Sequence, residues 1–200
     1  MTKKSKLNII LPIAFTAALL ASMIYCGEFA SSGSMFKSVL QLSAIYMLLA
    51  VSLNLLNGFT GLFSLGQAGF MTIGAYTYAI FTIPVKSRAS VYYLYGVADW
   101  LKNIELPVII ALIVAGLAAA LLAAIIGAPV LRLKSDYLAI ATLGFAEVVR
   151  IVVASSPLNK ITNGSLGLKK IPGFESYYGI FIVAFVCIAI IMLLLNSTYG

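Results

Sequence analysis

Long apolar stretches, each close to twenty residues, follow one another along this chain and are separated by short polar segments. An α-helix of about 20 apolar residues crosses the hydrocarbon core of a bilayer, which is about 30 Å thick. No stretch shows the alternation of apolar and polar residues that transmembrane β-strands require. The pattern therefore predicts six transmembrane helices, at Leu7–Cys26, Phe36–Asn57, Leu62–Ile83, Pro107–Leu131, Tyr137–Ala154 and Tyr178–Leu195.

The composition agrees with a membrane protein. Of 200 residues, 62% are hydrophobic and 10% are charged, whereas about a quarter of a soluble domain is charged. A soluble core made from 200 residues could not cover so much apolar surface. The expected fold class is an all-α polytopic integral membrane protein, with residues 1–200 forming a single transmembrane domain. The first apolar run lacks a cleavage site with small residues and is interpreted as a signal anchor.

The distribution of charge predicts orientation in the membrane. The formal net charge is +7, but the basic residues are scattered between apolar runs, which argues against a nucleic-acid partner. Basic residues of short loops favour the cytoplasmic side, so Lys3, Lys4 and Lys6 predict a cytoplasmic N-terminus. By alternation the chain also reaches Gly200 on the cytoplasmic side. The lysines in the predicted outer loop 155–177 do not follow the rule, to which longer loops conform weakly.

Catalytic and metal-binding patterns are absent from the sequence. It contains no histidine, no GxSxG, no closely spaced pair of carboxylates and no GxxxxGK[ST] phosphate loop. Cys26 and Cys187 lie far apart in or beside apolar runs, so a metal site is not expected. The sequence indicates a passage for solute, or the membrane part of a machine powered elsewhere, and not an enzyme.

The third predicted span is rich in glycine, with five glycines between Gly58 and Gly74. Glycines weaken a helix and let backbones approach closely, and interrupted helices occur in transporters where irregular backbone lines a polar cavity. Ser64, Gln67 and Thr72 lie within this segment, and polar side chains in lipid usually face the bundle interior. Two interpretations stay open for the glycines: an interrupted helix beside a pathway, or tight helix packing.

The fourth and fifth predicted spans differ in character. The fourth contains two rows of small residues at a spacing of four, and with no polar residue among them they predict close helix packing. The fifth contains Glu147 and Arg150 on neighbouring positions of one helical face. Charges inside a membrane are costly and suggest function, but a local ion pair with the arginine reaching the surface is an equal alternative. A proton relay has little basis here, with one carboxylate and no histidine.

Three segments together resemble a known family. Residues 52–70 (SLNLLNGFTGLFSLGQAGF) with 72–76 (TIGAY) resemble the first signature of LivM-type permeases, the membrane subunits of branched-chain amino acid ABC importers. Residues 131–150 (LRLKSDYLAIATLGFAEVVR) resemble the second signature. The third is matched by residues 161–168 (ITNGSLGL) and by Ile171 with Pro172. The blocks occur in the family's order.

The resemblance implies partners and a location. Such a subunit pairs with a sister permease in the bacterial or archaeal plasma membrane, sits on two cytoplasmic ATPase subunits and receives substrate from an extracytoplasmic binding protein. ATP and Mg would bind to the ATPase partners and no cofactor to this chain. Family members continue past the position of Gly200 into a cytoplasmic segment that docks on the ATPase, so this chain is interpreted as an N-terminal part that lacks that segment.

The resemblance also selects positions. Gly61, Ser64, Gly66, Gln67 and Tyr76 match the first signature, and Gln67 stands where relatives often have histidine, so only a hydrogen-bonding role is expected of it. The second signature is matched by Asp136, Tyr137, Thr142, Gly144, Glu147 and Arg150. The candidate pathway residues are Ser64, Gly66, Gln67, Thr72, Tyr76, Thr142, Glu147 and Arg150.

The expected function is passage of branched-chain amino acids through a pathway bordered by the third and fifth spans. A zwitterionic aliphatic substrate needs an apolar passage with a few hydrogen-bonding groups, which Ser64, Gln67, Tyr76 and Thr142 could provide. Three alternatives remain: a related permease for urea or short amides, a secondary transporter or channel that needs no ATPase, and a structural membrane subunit without a passage.

Overall fold

The computed structural model describes residues 35–59, 61–133, 135–174 and 176–195, so the predicted first span, Leu7–Cys26, lies outside the described residues. Within these ranges every regular element is helical, which confirms the all-α fold class. The α-helices are α1 (Met35–Asn54), α2 (Gln67–Thr82), α3 (Val85–Val91), α4 (Val108–Val130), α5 (Ser135–Val153), α6 (Asn159–Thr162) and α7 (Gly179–Leu195).

Two described helices are long and apolar enough to cross a membrane: Met35–Phe59, which is α1 with a π-helical end, and α4. Counting each bent pair as one span gives up to four, the pairs being α2 with α3 and α5 with the helical residues 156–162. Helix α7 has 17 residues and is a shorter apolar helix. The protein is therefore a polytopic membrane protein, and the number of six spans stays a prediction.

The third predicted span differs most from its expected form. It was expected to be helical over Leu62–Ile83, but the helix begins only at Gln67 and ends at Thr82. Proline disfavours helical backbone in the residue before it, and Ile83, which precedes Pro84, is extended with φ −60° and ψ 122°. The following helix α3 is consequently bent by 119° from α2.

The contacts of the described residues fall into two compact units, residues 53–174 and the remainder. In the first unit, helix α2 packs against both α4 and α5. Ala111 and Ala115 of one small-residue row on α4 are fully or nearly buried, which agrees with close packing through that row. The second row on α4 is exposed in this chain, and consists of Gly116, Ala120, Ala124 and Ala128.

The segment 83–106, between α2 and α4, contacts the segment 155–174, between α5 and α7. The two segments, which include the short helices α3 and α6, are here called the loop layer. Arg88 is 3% exposed, and its guanidinium donates to three backbone carbonyls, those of Ile83, Leu101 and Ile104. Planar guanidinium groups present several donors in a fixed geometry. These hydrogen bonds from Arg88 therefore connect α3 to residues 101–104, which precede α4.

Further hydrogen bonds join the two halves of the loop layer. The Tyr92 hydroxyl donates to the Ile161 carbonyl at 2.6 Å, and the Ala98 N–H donates to the Lys160 carbonyl at 3.2 Å. The Asn163 amide donates to the Val91 carbonyl at 3.1 Å. Ile83, Val91 and Tyr92 form the buried apolar cluster beneath these bonds.

The second unit, of which residues 35–52 and 176–195 are described, contains most of α1 and all of α7. Its aromatic contacts centre on Tyr177, whose ring lies 5.4 Å from Tyr178 and 5.3 Å from Phe181. The Lys37 ammonium lies 5.3 Å from the centre of the Tyr177 ring, which is cation–π range.

Burial raises the pKa of Tyr92 from 10.0 to about 12, against the opposing effect of the Arg88 charge. The folded protein thus keeps the hydroxyl proton more tightly than the unfolded chain. This contribution to stability is complete below pH 10 and is lost as the pH rises through about 12. Tyr92→Phe should lower the free energy of unfolding by about 1 kcal/mol near neutral pH, because the bond to Ile161 is lost.

Thermal unfolding of the purified protein between pH 8 and pH 12 measures this effect. The unfolding midpoint of Tyr92→Phe should fall less with rising pH than that of the wild type. The matched control is Tyr93→Phe, because Tyr93 is 71% exposed. Equal alkaline loss in Tyr92→Phe and the wild type would contradict the assigned role.

Candidate functional site

The Gly-rich segment leaves helical structure between α1 and α2. Helix α1 ends in a π-helical turn, Leu55–Phe59, a form that is rare and frequent at functional sites. Gly61 then has φ +68°, which an L side chain rarely adopts. Residues 61–65 contain no regular element, and α2 begins at Gln67. Residues 61–65, at the beginning of the expected third span, are therefore not helical, whereas α2 is unbroken from Gln67 to Thr82.

Hydrogen bonds to side chains fix the position of the non-helical residues 61–65. The Ser64 N–H donates to Asn57 Oδ1 at 3.1 Å, and the Leu65 N–H donates to Thr142 Oγ1 at 3.0 Å. The Gly66 N–H lies 3.4 Å from Ser64 Oγ, a long hydrogen bond. The Thr142 hydroxyl donates in turn to the Ala139 carbonyl at 3.0 Å. Because a bilayer offers no water to backbone groups, non-helical backbone there needs such partners.

The beginning of α2 lies close to α5. A Cβ built on Gly69 would lie 3.0 Å from the Ala146 Cα, and a Cβ on Gly66 would lie 3.4 Å from the Thr142 Cβ. Thr142 and Ala146 are one helical turn apart on the buried face of α5. The Phe70 and Phe145 rings, with centroids 6.5 Å apart, extend the same contact. These two glycines therefore serve tight helix packing, which is the second interpretation of the glycine-rich segment, and they lie beside the polar contacts of residues 61–65.

Ser64 is 7% exposed and Thr142 is 8% exposed, so the first and second signature segments meet in a buried polar contact. Helix α2 starts beside it without a side-chain cap at Gly66, and the N-terminus of a helix carries a partial positive charge. Hydroxyl and amide groups of this kind can bind polar parts of a solute but supply no acid–base pair. Among the described residues, no cluster of His, Cys, Asp or Glu could hold a metal ion.

The predicted site residues divide into three groups. Ser64, Gly66 and Thr142 meet as described, and half-buried Gln67 is the first residue of α2. Thr72 and Tyr76 lie further along α2 and are half-buried, and the Thr72 hydroxyl donates to the Ala68 carbonyl of its own helix at 2.7 Å. The third group, Glu147 and Arg150, does not join the contact.

Glu147 and Arg150 form a two-bonded ion pair on the exposed side of α5. Arg150 Nε donates to Glu147 Oε2 at 2.9 Å, and Arg150 Nη2 donates to Glu147 Oε1 at 2.5 Å. Their side chains are 68% and 53% exposed for Arg150 and Glu147, respectively. This arrangement is the local ion pair that the sequence analysis gave as an alternative. The pair lies outside the buried face of α5 that contains Thr142 and Ala146.

Sequence reasoning did not single out Asn57, although its side chain anchors Ser64. The Asn57–Gly58 dipeptide is a turn signal and could have marked it. Arg88, Tyr92 and Asn163 of the loop layer were also missed, because their partners are carbonyls that no residue pattern reveals. Of the second-signature positions, the Asp136 side chain lies outside the described residues.

Comparison with known proteins gives one family and two similar relatives. Residues 35–200 match the family described as the permease component of branched-chain amino acid transport systems. The chain is 37% identical over 158 residues to the high-affinity branched-chain amino acid transport system permease protein LivM of Escherichia coli K12, and equally to that of Salmonella typhimurium LT2. Each alignment covers 79% of this chain and 32% of the relative's length. No solved structure matches.

Gly69→Ala should destabilise the contact between α2 and α5, because the added methyl group would lie 3.0 Å from backbone of Ala146. Overpacking of this kind costs about 1–3 kcal/mol, partly offset by about 0.5–1 kcal/mol from removing a helical glycine. Differential scanning fluorimetry of the purified full-length protein measures the midpoint shift.

Gly74→Ala is the matched control, since it is on the same helix and a Cβ there has nothing within 4 Å. It should be neutral or stabilising by about 0.5–1 kcal/mol. A Gly69→Ala midpoint at or above that of Gly74→Ala would contradict the close approach of the two helices.

Proposed function

Since this chain belongs to the family of permease components of branched-chain amino acid transport systems, we propose that it forms part of the translocation pathway of an ATP-driven amino acid importer. The observation that carries the proposal is the buried contact between the non-helical segment 61–65 and Thr142. It joins two segments that are 77 residues apart in sequence, at the non-helical residues that precede α2. Non-helical backbone at membrane depth is buried in protein or lines a water-filled cavity.

The groups at this contact suit a zwitterionic aliphatic solute. The hydroxyls of Ser64 and Thr142, the side chain of Gln67 and the N-terminal end of α2 can exchange hydrogen bonds with a carboxylate or an ammonium group. The surrounding residues, such as Phe70 and Phe145, are apolar. A passage of this composition needs no charged residue that would hold the solute too tightly. Tyr76 and Thr72 lie further along α2 and would contribute to the same wall.

Transport driven by ATP requires alternation between two arrangements of the membrane subunits. In the proposed cycle, α2 and α5 separate at Gly66 and Gly69 in one state and meet as observed in the other. Because both positions are glycine, no side chain of residue 66 or 69 would have to be withdrawn from α5 when the two helices separate. Because Leu65 loses its partner when Thr142 moves away, the solute or water would have to replace the bond in the open state.

The proposed assembly contains a sister permease, two cytoplasmic ATPase subunits that bind ATP and Mg, and an extracytoplasmic binding protein. The proposed location is the plasma membrane, with the N-terminus and Gly200 on the cytoplasmic side. The chain spans about a third of the length of the relatives it matches, 32% in the alignment, so the complete protein is the material for any test. We place the exposed pair of Glu147 and Arg150 against another part of the assembly, because charged side chains facing lipid are costly.

Uptake into proteoliposomes tests the proposal. Vesicles with the full-length protein, its sister permease, the ATPase subunits and the binding protein should accumulate labelled leucine only with internal ATP. Omitting the ATPase subunits should abolish uptake. Leucine uptake at an undiminished rate without them would contradict the proposal and favour a secondary transporter, and uptake of urea but not leucine would contradict the substrate.

A substitution at Gln67 distinguishes a subunit that forms the pathway from a structural subunit without a passage. Gln67→Leu should reduce leucine uptake at least about tenfold, on the scale of one lost hydrogen bond to a charged group, while the complex still assembles. Val85→Leu, an exposed residue of the loop layer, is the control and should leave uptake unchanged. Equal uptake in both variants would favour a subunit without a passage.

A further inference from the structure

The loop layer contains a cavity of about 120 Å³ that is separate from the contact at Thr142. It lies between the segment 90–93 and the segment 163–170, and both segments belong to the same compact unit. An engineered apolar cavity of about 150 Å³ binds benzene, so a volume of this order admits a small organic solute. The cavity is therefore large enough to be a binding site in its own right.

The polar side of the cavity is positively charged. Its lining includes Lys169 and Lys170, and none of the described residues that line it is acidic. The Lys170 ammonium donates to Ser90 Oγ at 2.9 Å, which holds a second hydrogen-bonding group at the same edge. Neither lysine forms an ion pair with a described carboxylate. Two lysines and a serine hydroxyl at one cavity favour a carboxylate ligand.

The lining of the cavity also contains apolar residues. Val91 is 5% exposed and belongs to the buried cluster of the loop layer, and Leu166 is partly exposed at 39%. A simple inorganic anion gains nothing from such a wall. An organic carboxylate with a short aliphatic chain would place its charge on the lysines and its chain on these two residues.

The lining also contains a buried polar group without a partner. Asn163 is 3% exposed, and its Oδ1 has no hydrogen-bond donor in the part of the chain that the structure describes. Its amide nitrogen is fixed by the carbonyls of Val91 and Gly167. Unpaired buried acceptors are uncommon and call for an explanation. Asn163 and Lys170 are also the two described non-glycine residues with positive φ, at 61° and 56°, and strained backbone often occurs at ligand sites.

We propose that this cavity in the loop layer is an accessory binding site for a small aliphatic carboxylate, with Lys169, Lys170 and Ser90 on the carboxylate and Val91 and Leu166 on the aliphatic chain. The proposed function supplies the source of such a ligand, the free aliphatic amino acid, and the choice of ligand rests on that function. An amino acid also carries an ammonium group, a donor of the kind that Asn163 Oδ1 lacks. That oxygen is covered, so the ammonium would reach it only after a local rearrangement of the residues around Asn163.

Site-mapped photolabelling tests this assignment. Membrane vesicles containing the full-length protein are irradiated with a leucine analogue that carries a diazirine in its side chain, and labelled peptides are identified by mass spectrometry. Label is expected within residues 90–93 or 163–170. Leucine and 4-methylpentanoate should compete for it, whereas 3-methylbutylamine, which lacks the carboxylate, should not.

Variants define the role of the charge. Lys170→Met should lower the labelling of these peptides about fivefold, on the scale of one charge-assisted hydrogen bond, and Lys170→Arg should restore most of it. The matched control is Lys86→Met, an exposed lysine of the loop layer that does not line the cavity, and it should leave labelling unchanged.

Four results would overturn the assignment: no label in these segments, equal labelling in Lys170→Met and wild type, equal competition by 3-methylbutylamine, or competition by inorganic phosphate as strong as by leucine. Vesicle uptake distinguishes this failure from failure of the proposed function. If ATP-dependent uptake occurs without label in the cavity, only the accessory site is wrong. If the cavity is labelled but uptake does not require the ATPase, the accessory site stands and the proposed function is wrong.

Discussion

The hydrogen bond from the Leu65 N–H to the Thr142 hydroxyl is the contact on which the rest of this structure depends. Within a bilayer, a backbone group outside a helix needs a protein partner or a water-filled cavity. Segment 61–65 is not helical, and two of its backbone N–H groups, those of Ser64 and Leu65, donate to Asn57 and Thr142. These hydrogen bonds therefore place the beginning of α2 close to Thr142 of α5. Gly66 and Gly69 allow this approach because they carry no side chain.

The loop layer provides a second constraint, at the other end of α2. Pro84 ends the helix, α3 turns away, and the buried guanidinium of Arg88 binds the carbonyls that surround it. The Tyr78 hydroxyl of α2 donates to the Pro172 carbonyl at 2.7 Å, so the third signature segment is tied to the same helix. Helix α2 is thus held at its beginning by α5 and near its end by the loop layer.

Much of the fold could be predicted from local pattern. Helix α4 begins and ends within one residue of the prediction, because its apolar run is uninterrupted and Pro107 precedes it. The glycines predicted a weakened helix, yet only residues 61–65 are non-helical, and Gly69 and Gly74 lie within the regular helix α2. A pathway between the third and fifth spans was expected from family resemblance, and the contact of Leu65 with Thr142 joins these two spans. The end of α2 before Pro84 agrees with the predicted span, whereas helix α3 after it was not predicted. The loop layer could not be predicted, since its bonds join residues as far apart as Val91 and Asn163, 72 positions in sequence. Glu147 and Arg150 attracted attention by their charge, yet they pair locally on an exposed face.

The central claim is that segment 61–65 and Thr142 border a pathway that opens and closes. The most direct measurement is the rate at which a membrane-impermeant thiol reagent modifies Ser64→Cys in the complete transporter, with Cys26 and Cys187 replaced by serine. Ser64 is buried in the observed contact, so modification should be slow in one nucleotide state, faster in another, and slowed again by leucine. A cysteine at this position that reacts at the same rate in every nucleotide state, with or without leucine, would contradict the claim.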